Sequence, residues 1–79
     1  MSTLTERVLF SAEGCVSCKT LKKSLAARGW GFTELSLDTD EGMDKAVEYG
    51  VRGLPVAVLR YSDGAEVVLR GVHPIEDYE

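Results

Sequence analysis

Cys15 and Cys18, the only cysteines of the chain, are separated by two residues in Gly14-Cys15-Val16-Ser17-Cys18-Lys19. A pair at that spacing can close a small disulfide ring, give two thiolates to a metal, or pack as unrelated small apolar side chains. As a staple it is weak, because the ring spans only a few residues and stabilises less than the ~3 kcal/mol of a 15-residue loop. A structural zinc site takes about four ligands, usually thiolates and imidazoles. Beyond the pair the chain offers a single histidine, His73, so a site within one chain would need carboxylates. Redox cycling needs only a favoured thiolate, and a helix N-terminus supplies that through unpaired N–H groups and a partial positive charge.

The elements around the pair are arranged to provide such a terminus. Glu6-Arg7-Val8-Leu9-Phe10 reads as a short buried strand stopped by Ser11-Ala12-Glu13-Gly14. From Val16 to Arg28 the apolar or small residues Cys18, Leu21, Leu25 and Ala26 fall three or four apart, the period of an amphipathic helix, with Gly29 as its terminator. Phe32-Thr33-Glu34-Leu35-Ser36-Leu37 alternates as a strand with one buried face. The cluster Asp38-Thr39-Asp40-Glu41-Gly42 offers caps and first-turn acids to a second helix, whose face carries Met43, Ala46 and Val47 and which ends near Gly50.

Val56-Ala57-Val58-Leu59 is a continuous apolar run suited to a strand covered on both faces, with Pro55 tolerated ahead of it. Tyr61-Ser62-Asp63-Gly64 predicts a hairpin turn and Glu66-Val67-Val68-Leu69 its returning strand. His73 to Glu79 has room for at most a short helix, with Pro74 at its first position. The order is βαβαββ with an acidic stub, one α/β domain over 1–79.

A net charge of −4, from nine basic and thirteen acidic residues, argues against nucleic acid or an anionic membrane as a general partner. The first residues lack the apolar core of a secretory signal, and no run is long enough to span a bilayer, which predicts a cytoplasmic protein. Disulfides are rare in that compartment unless they cycle, which strengthens the redox reading.

A strand–CxxC–helix opening, a second βα unit and a proline-led hairpin resemble the thioredoxin fold over nearly the whole chain. Cys15-Val16-Ser17-Cys18, with Lys22 further along the helix, resembles the glutaredoxin-sized NrdH redoxins, which reduce ribonucleotide reductase. Gly71-Val72-His73-Pro74 stands where that family has its closing Gly-aromatic-Arg-Pro-like motif, and departs from it at Val72 and His73. Tyr49-Gly50-Val51-Arg52-Gly53-Leu54-Pro55 and Asp63-Gly64 are similar to thioredoxin itself, whose Trp-Cys-Gly-Pro-Cys site is absent. Glutaredoxins carry a basic residue before the first cysteine and a Gly-Gly…Asp pattern near the end for glutathione. Ser11-Ala12-Glu13-Gly14 and Gly71-Val72-His73-Pro74 have neither, so an anionic tripeptide is expected to meet little positive charge.

The resemblance implies a thioredoxin-like, glutaredoxin-sized domain with a mixed four-stranded sheet and a very short or absent C-terminal helix. It implies a monomeric thiol–disulfide oxidoreductase without a cofactor, carrying electrons from a thioredoxin reductase-like flavoprotein to a protein disulfide such as that of ribonucleotide reductase. Cys15 is then the nucleophile and Cys18 resolves the mixed disulfide. Val16, Ser17, Leu54, Pro55 and Gly71 face the substrate, Pro55 is cis, and the backbone of Leu54 is free to pair with an extended partner segment. Lys22, and less so Lys19, hold negative charge near the thiolate, while Glu13 opposes it. Within the same chemistry the alternative is a glutathione-dependent glutaredoxin or a minimal general thioredoxin. From another class the alternative is a non-enzymatic metal or iron–sulfur module built on the two thiolates. For His73, Trp30 and the acids Asp38, Asp40, Glu41 and Asp44, surface, packing and helix capping are the favoured roles.

Overall fold

The computed structural model describes residues 2–78; Met1 and Glu79, the ends of the expected domain and of its acidic stub, lie outside it. The elements are β1 (Leu4–Ser11), α1 (Val16–Ala27), β2 (Thr33–Ser36), α2 (Asp40–Glu48), β3 (Val56–Tyr61), β4 (Glu66–Arg70) and α3 (Val72–Asp77). They build the mixed four-stranded sheet in the order β2-β1-β3-β4, with β1 parallel to β2 and antiparallel to β3, and β3 antiparallel to β4.

The central strands explain why their sequences are apolar without a break. Leu9 and Ala57 point to one face and meet Leu21 and Leu25 of α1 and Ile75 of α3. Val8, Phe10, Val56 and Val58 point to the other and meet Ala46 of α2. Strands covered on both sides have no polar alternation to show. Each fully buried leucine contributes about 1.5–3 kcal/mol relative to exposure, so Leu21 and Leu25 of α1 are the main hold on the helix that carries the cysteines.

Four details differ from the sequence expectations. On α1, Cys18, Leu21 and Leu25 are buried but Ala26 is exposed. On α2 the buried residues are Gly42 and Ala46, whereas Met43 and Val47 are exposed, Val47 by 73%. The packing of α2 is set by closeness: a Cβ on Gly42 would stand 1.8 Å from the carbonyl oxygen of Ser36. Phe32 precedes the four-residue β2 and packs with the α1 cluster, opposite to Leu35 and Leu37. Pro74 is the third residue of α3, not the first, which costs no bond because the first four N–H groups of a helix have no partner within it.

Candidate functional site

The chain leaves β1 at Ser11 and turns sharply, Cys15 N–H donating to the Ala12 carbonyl at 3.2 Å. Gly14 takes φ +82° in that turn, a conformation that a residue with a side chain adopts at a cost. The Asp38 carboxylate receives the Glu13 N–H at 2.7 Å and so pins the loop from the β2–α2 connection. Asp38 therefore serves the cysteine loop rather than capping α2; the cap is Thr39, whose Oγ1 accepts the Gly42 N–H at 3.0 Å.

Cys15 is the N-cap of α1, with an extended backbone, and its Sγ accepts the N–H of Cys18 at 3.2 Å. The two sulfurs are joined as a disulfide with the Cα atoms 5.3 Å apart. Their environments differ: Cys15 is half-buried at the helix mouth, and Cys18 is 1% exposed beneath the helix. Val16 and Ser17 lie exposed between them. An incoming sulfur can reach Cys15 but not Cys18.

Pro55, buried, immediately precedes β3, and Val56 pairs with Phe10 at the end of β1 from which the cysteine loop departs. The proline loop and the cysteine loop therefore share one end of the sheet. The Leu54–Pro55 peptide is cis. Gly71, at φ +94°, caps α3 and donates its N–H to the Pro55 carbonyl at 3.0 Å, tying the third loop to the second. Among the described residues, the backbone N–H and C=O of Leu54 take part in no hydrogen bond.

Lys22 sends its ammonium to Glu34 Oε2 at 2.8 Å, and Ser11 Oγ donates to the same oxygen at 2.5 Å. The Lys22 hydrogen bond, then that of Ser11, holds the Glu34 carboxyl below its ordinary range. Seven residues along the helix from Cys15, Lys22 sits about 10 Å away along the axis, beyond the Debye length of about 8 Å at physiological salt. Its first electrostatic partner is Glu34. Lys19 is exposed in the first turn.

His73 is exposed and faces Glu76, Nδ1 to Oε1 3.5 Å. Trp30 packs with the α1–α3 cluster, and the guanidiniums of Arg7 and Arg28 lie 4.8 and 5.1 Å from its ring centroid. Among the described residues no three His, Cys, Asp or Glu side chains gather as a metal site, and no helix is long and apolar enough to cross a membrane.

An open groove of ≈ 590 Å³ runs beside the proline loop, lined by Gly50, Arg52, Gly53, Leu54, Pro55, Val56, Arg70 and Gly71. It holds two arginines and no acid, contrary to the expectation of little positive charge there. Arg70 reaches it because the hairpin register places Arg70 opposite Val56. That register is set by Tyr61 donating its N–H to the Ala65 carbonyl at 2.9 Å around Ser62-Asp63-Gly64, one residue away from the Tyr61–Gly64 turn read from sequence.

A mixed four-stranded sheet with a CxxC pair at the mouth of α1 and a proline loop at the same sheet end is the thioredoxin fold. No protein-family profile and no curated protein matches the chain. Among solved structures it is similar to the glutaredoxin-like NrdH-redoxin from Escherichia coli, described as having a thioredoxin-like activity profile. The TM-score is 0.67 at 22% identity, over 89% of this chain and 87% of that one. It is also similar to a thioredoxin from Thermus thermophilus, with TM-score 0.58 and 28% identity, over 87% of this chain and 65% of that one. The oxidised C-terminal domain of DsbD from Neisseria meningitidis gives TM-score 0.55 at 23% identity, over 84% of this chain and 66% of that domain.

Proposed function

We propose that this protein is a dithiol–disulfide oxidoreductase that carries two electrons from a thioredoxin reductase-like flavoprotein to a protein disulfide, that of ribonucleotide reductase being the leading acceptor. One observation carries the reading: at a helix N-terminus of a thioredoxin fold, one sulfur of a CxxC pair is reachable and the other is buried one turn on. In the reduced protein the Cys15 thiolate attacks a sulfur of the partner disulfide. The partner's S–S bond breaks, a mixed disulfide forms, and the first partner thiolate leaves and takes up a proton. Cys18, losing its proton, attacks Cys15 Sγ; the mixed disulfide breaks and the second partner thiolate departs. The protein is left with its Cys15–Cys18 disulfide, two electrons poorer. NADPH restores them through the flavoprotein. The unpaired Leu54 N–H and C=O, on the same sheet end, are suited to an extended partner segment added as a strand.

A second reading within the same chemistry takes glutathione as reductant, and Arg52 and Arg70 favour it, because glutathione is anionic. NADPH consumption in the presence of a disulfide substrate separates the two. Thioredoxin reductase should support turnover and glutathione with glutathione reductase should not; the reverse would exclude the first reading.

A further inference from the structure

Arginines in this chain are otherwise occupied. Arg7 donates to the Gly31 carbonyl at 3.2 Å and lies over Trp30. Arg28 donates to the Glu76 carbonyl. Arg60 is held by Glu6, Glu66 and the Tyr49 hydroxyl. Among the described residues, the side chains of Arg52 and Arg70 make no hydrogen bond or ion pair, and both residues are exposed on the groove beside Leu54 and Pro55. A protein with thirteen acidic residues could have neutralised them internally and does not.

We infer that Arg52 and Arg70 select a partner by charge: the segment that lies along Leu54 is an extended stretch of protein carrying carboxylates close to its disulfide. The inference rests on the oxidoreductase reading and adds the chemistry of the partner. Leu54 offers backbone for strand pairing, and the guanidiniums stand on the two chain segments that border it, one ahead of Leu54 and one on β4 opposite Val56. Side chains of a paired strand point alternately to either side, so acids flanking the reactive cysteine meet them while its sulfur faces the Cys15 end of the sheet. Guanidinium suits this task, with a flat fork that takes a carboxylate by two parallel N–H bonds. In a chain of net charge −4 the pair gives this groove the sign that attracts an acidic segment.

The test uses two disulfide peptides of one scaffold, with glutamates or with lysines beside the cysteine, and serine versions of both that cannot react. Binding of the serine peptides to the oxidised protein, followed by amide chemical shifts, reads the groove alone; turnover of the disulfide peptides reads the chemistry. The glutamate peptide should bind roughly three- to ten-fold better, the size expected of one or two exposed ion pairs, and lose that margin as salt is raised. Arg52→Glu with Arg70→Glu should abolish or invert the preference, while Lys23→Glu with Lys45→Glu, an equal change of net charge elsewhere, should keep it. Equal binding of both peptides, a preference surviving Arg52→Glu/Arg70→Glu, or its loss in the lysine control overturns the proposal. So does displacement of the glutamate peptide by glutathione at matching concentration, which would give the groove to the tripeptide. Charge-selective binding without reduction of either disulfide peptide would uphold the inference and defeat the oxidoreductase reading.

Discussion

The Cys18 amide donates to Cys15 Sγ at 3.2 Å, so the buried cysteine of the pair supports the reachable one through its backbone. On reduction the same N–H faces a sulfur that can carry charge, and a hydrogen bond to the charged form lowers a pKa. We expect Cys15 in the reduced protein to be alkylated by iodoacetamide well below the ordinary thiol pKa of about 8.5, with Cys18 protected. Rate against pH, resolved by peptide mapping, checks it; equally slow reaction of both thiols would be incompatible with the proposed chemistry.

Removing either sulfur should have a distinct outcome. Cys15→Ser should lose disulfide reduction altogether, whereas Cys18→Ser should still attack and then accumulate as a mixed disulfide with its substrate, visible by mass. Release of product at the normal rate by Cys18→Ser would show that the second cysteine does not resolve the intermediate.

Glu34 should make stability depend on pH. Its carboxyl is held below the ordinary 4.5 by Lys22 and Ser11. A depressed folded-state value contributes stability that is complete above the unfolded value and is lost as pH falls through the folded one. In urea unfolding, Glu34→Gln should therefore be weaker than the wild type at pH 7, and the two curves should converge on acidification below about pH 4. A difference that stays constant from pH 7 to pH 3 would rule out the ion pair as its source.

Gly42 presents a choice between two opposite signs. In an exposed helix interior, Gly→Ala stabilises by about 1 kcal/mol. Here the added Cβ would stand 1.8 Å from the Ser36 carbonyl oxygen, and the backbone must move. We expect Gly42→Ala to destabilise by about 1–3 kcal/mol, the range for overpacking, measured by thermal unfolding. A rise in Tm would show that α2 can lift off the strand at no cost.

The order of elements was legible because Val8–Phe10, Leu21 with Leu25, and Val56–Leu59 are long or periodic enough to signal burial directly, whereas the mixed sheet followed from the resemblance to the thioredoxin fold. The placement of α2 was not, because the residues that set it, Gly42 and Ala46, have almost no side chain with which to register in an apolar pattern. At the candidate site the cysteine spacing marked the pair and the surrounding elements favoured redox use, whereas nothing in the sequence drew Arg52 and Arg70 together. Their meeting is a product of hairpin register and loop path, which local composition does not display. The ion pair of Lys22 with Glu34 joins a helix to a strand across the chain and has no local signature either.

Ile75 tests whether the short terminal helix matters to the site. It is 1% exposed against Leu9, Leu21, Leu25 and Ala57, and Ile→Ala at such a position costs about 2–5 kcal/mol. Ile75→Ala should lower the urea midpoint by a corresponding amount; a loss under 0.5 kcal/mol, the size of an ordinary surface change, would mean that α3 is dispensable.

The register of β1 with β3 also imposes an order on synthesis. Leu4 pairs with Tyr61 and Phe10 with Val56, so β1 waits for a partner made only after α1, β2 and α2. Contacts so distant along the chain form only after the intervening loop has closed. A ribosome that has translated both cysteines has thus made a reactive pair but not yet a tool: with β3 still untranslated, nothing pairs with that side of β1, and the Leu54–Pro55 loop does not exist. On the proposed reading, the segment that would pair with a partner is added only after both cysteines, so a product cut before Leu54 carries the thiols without the loop beside them.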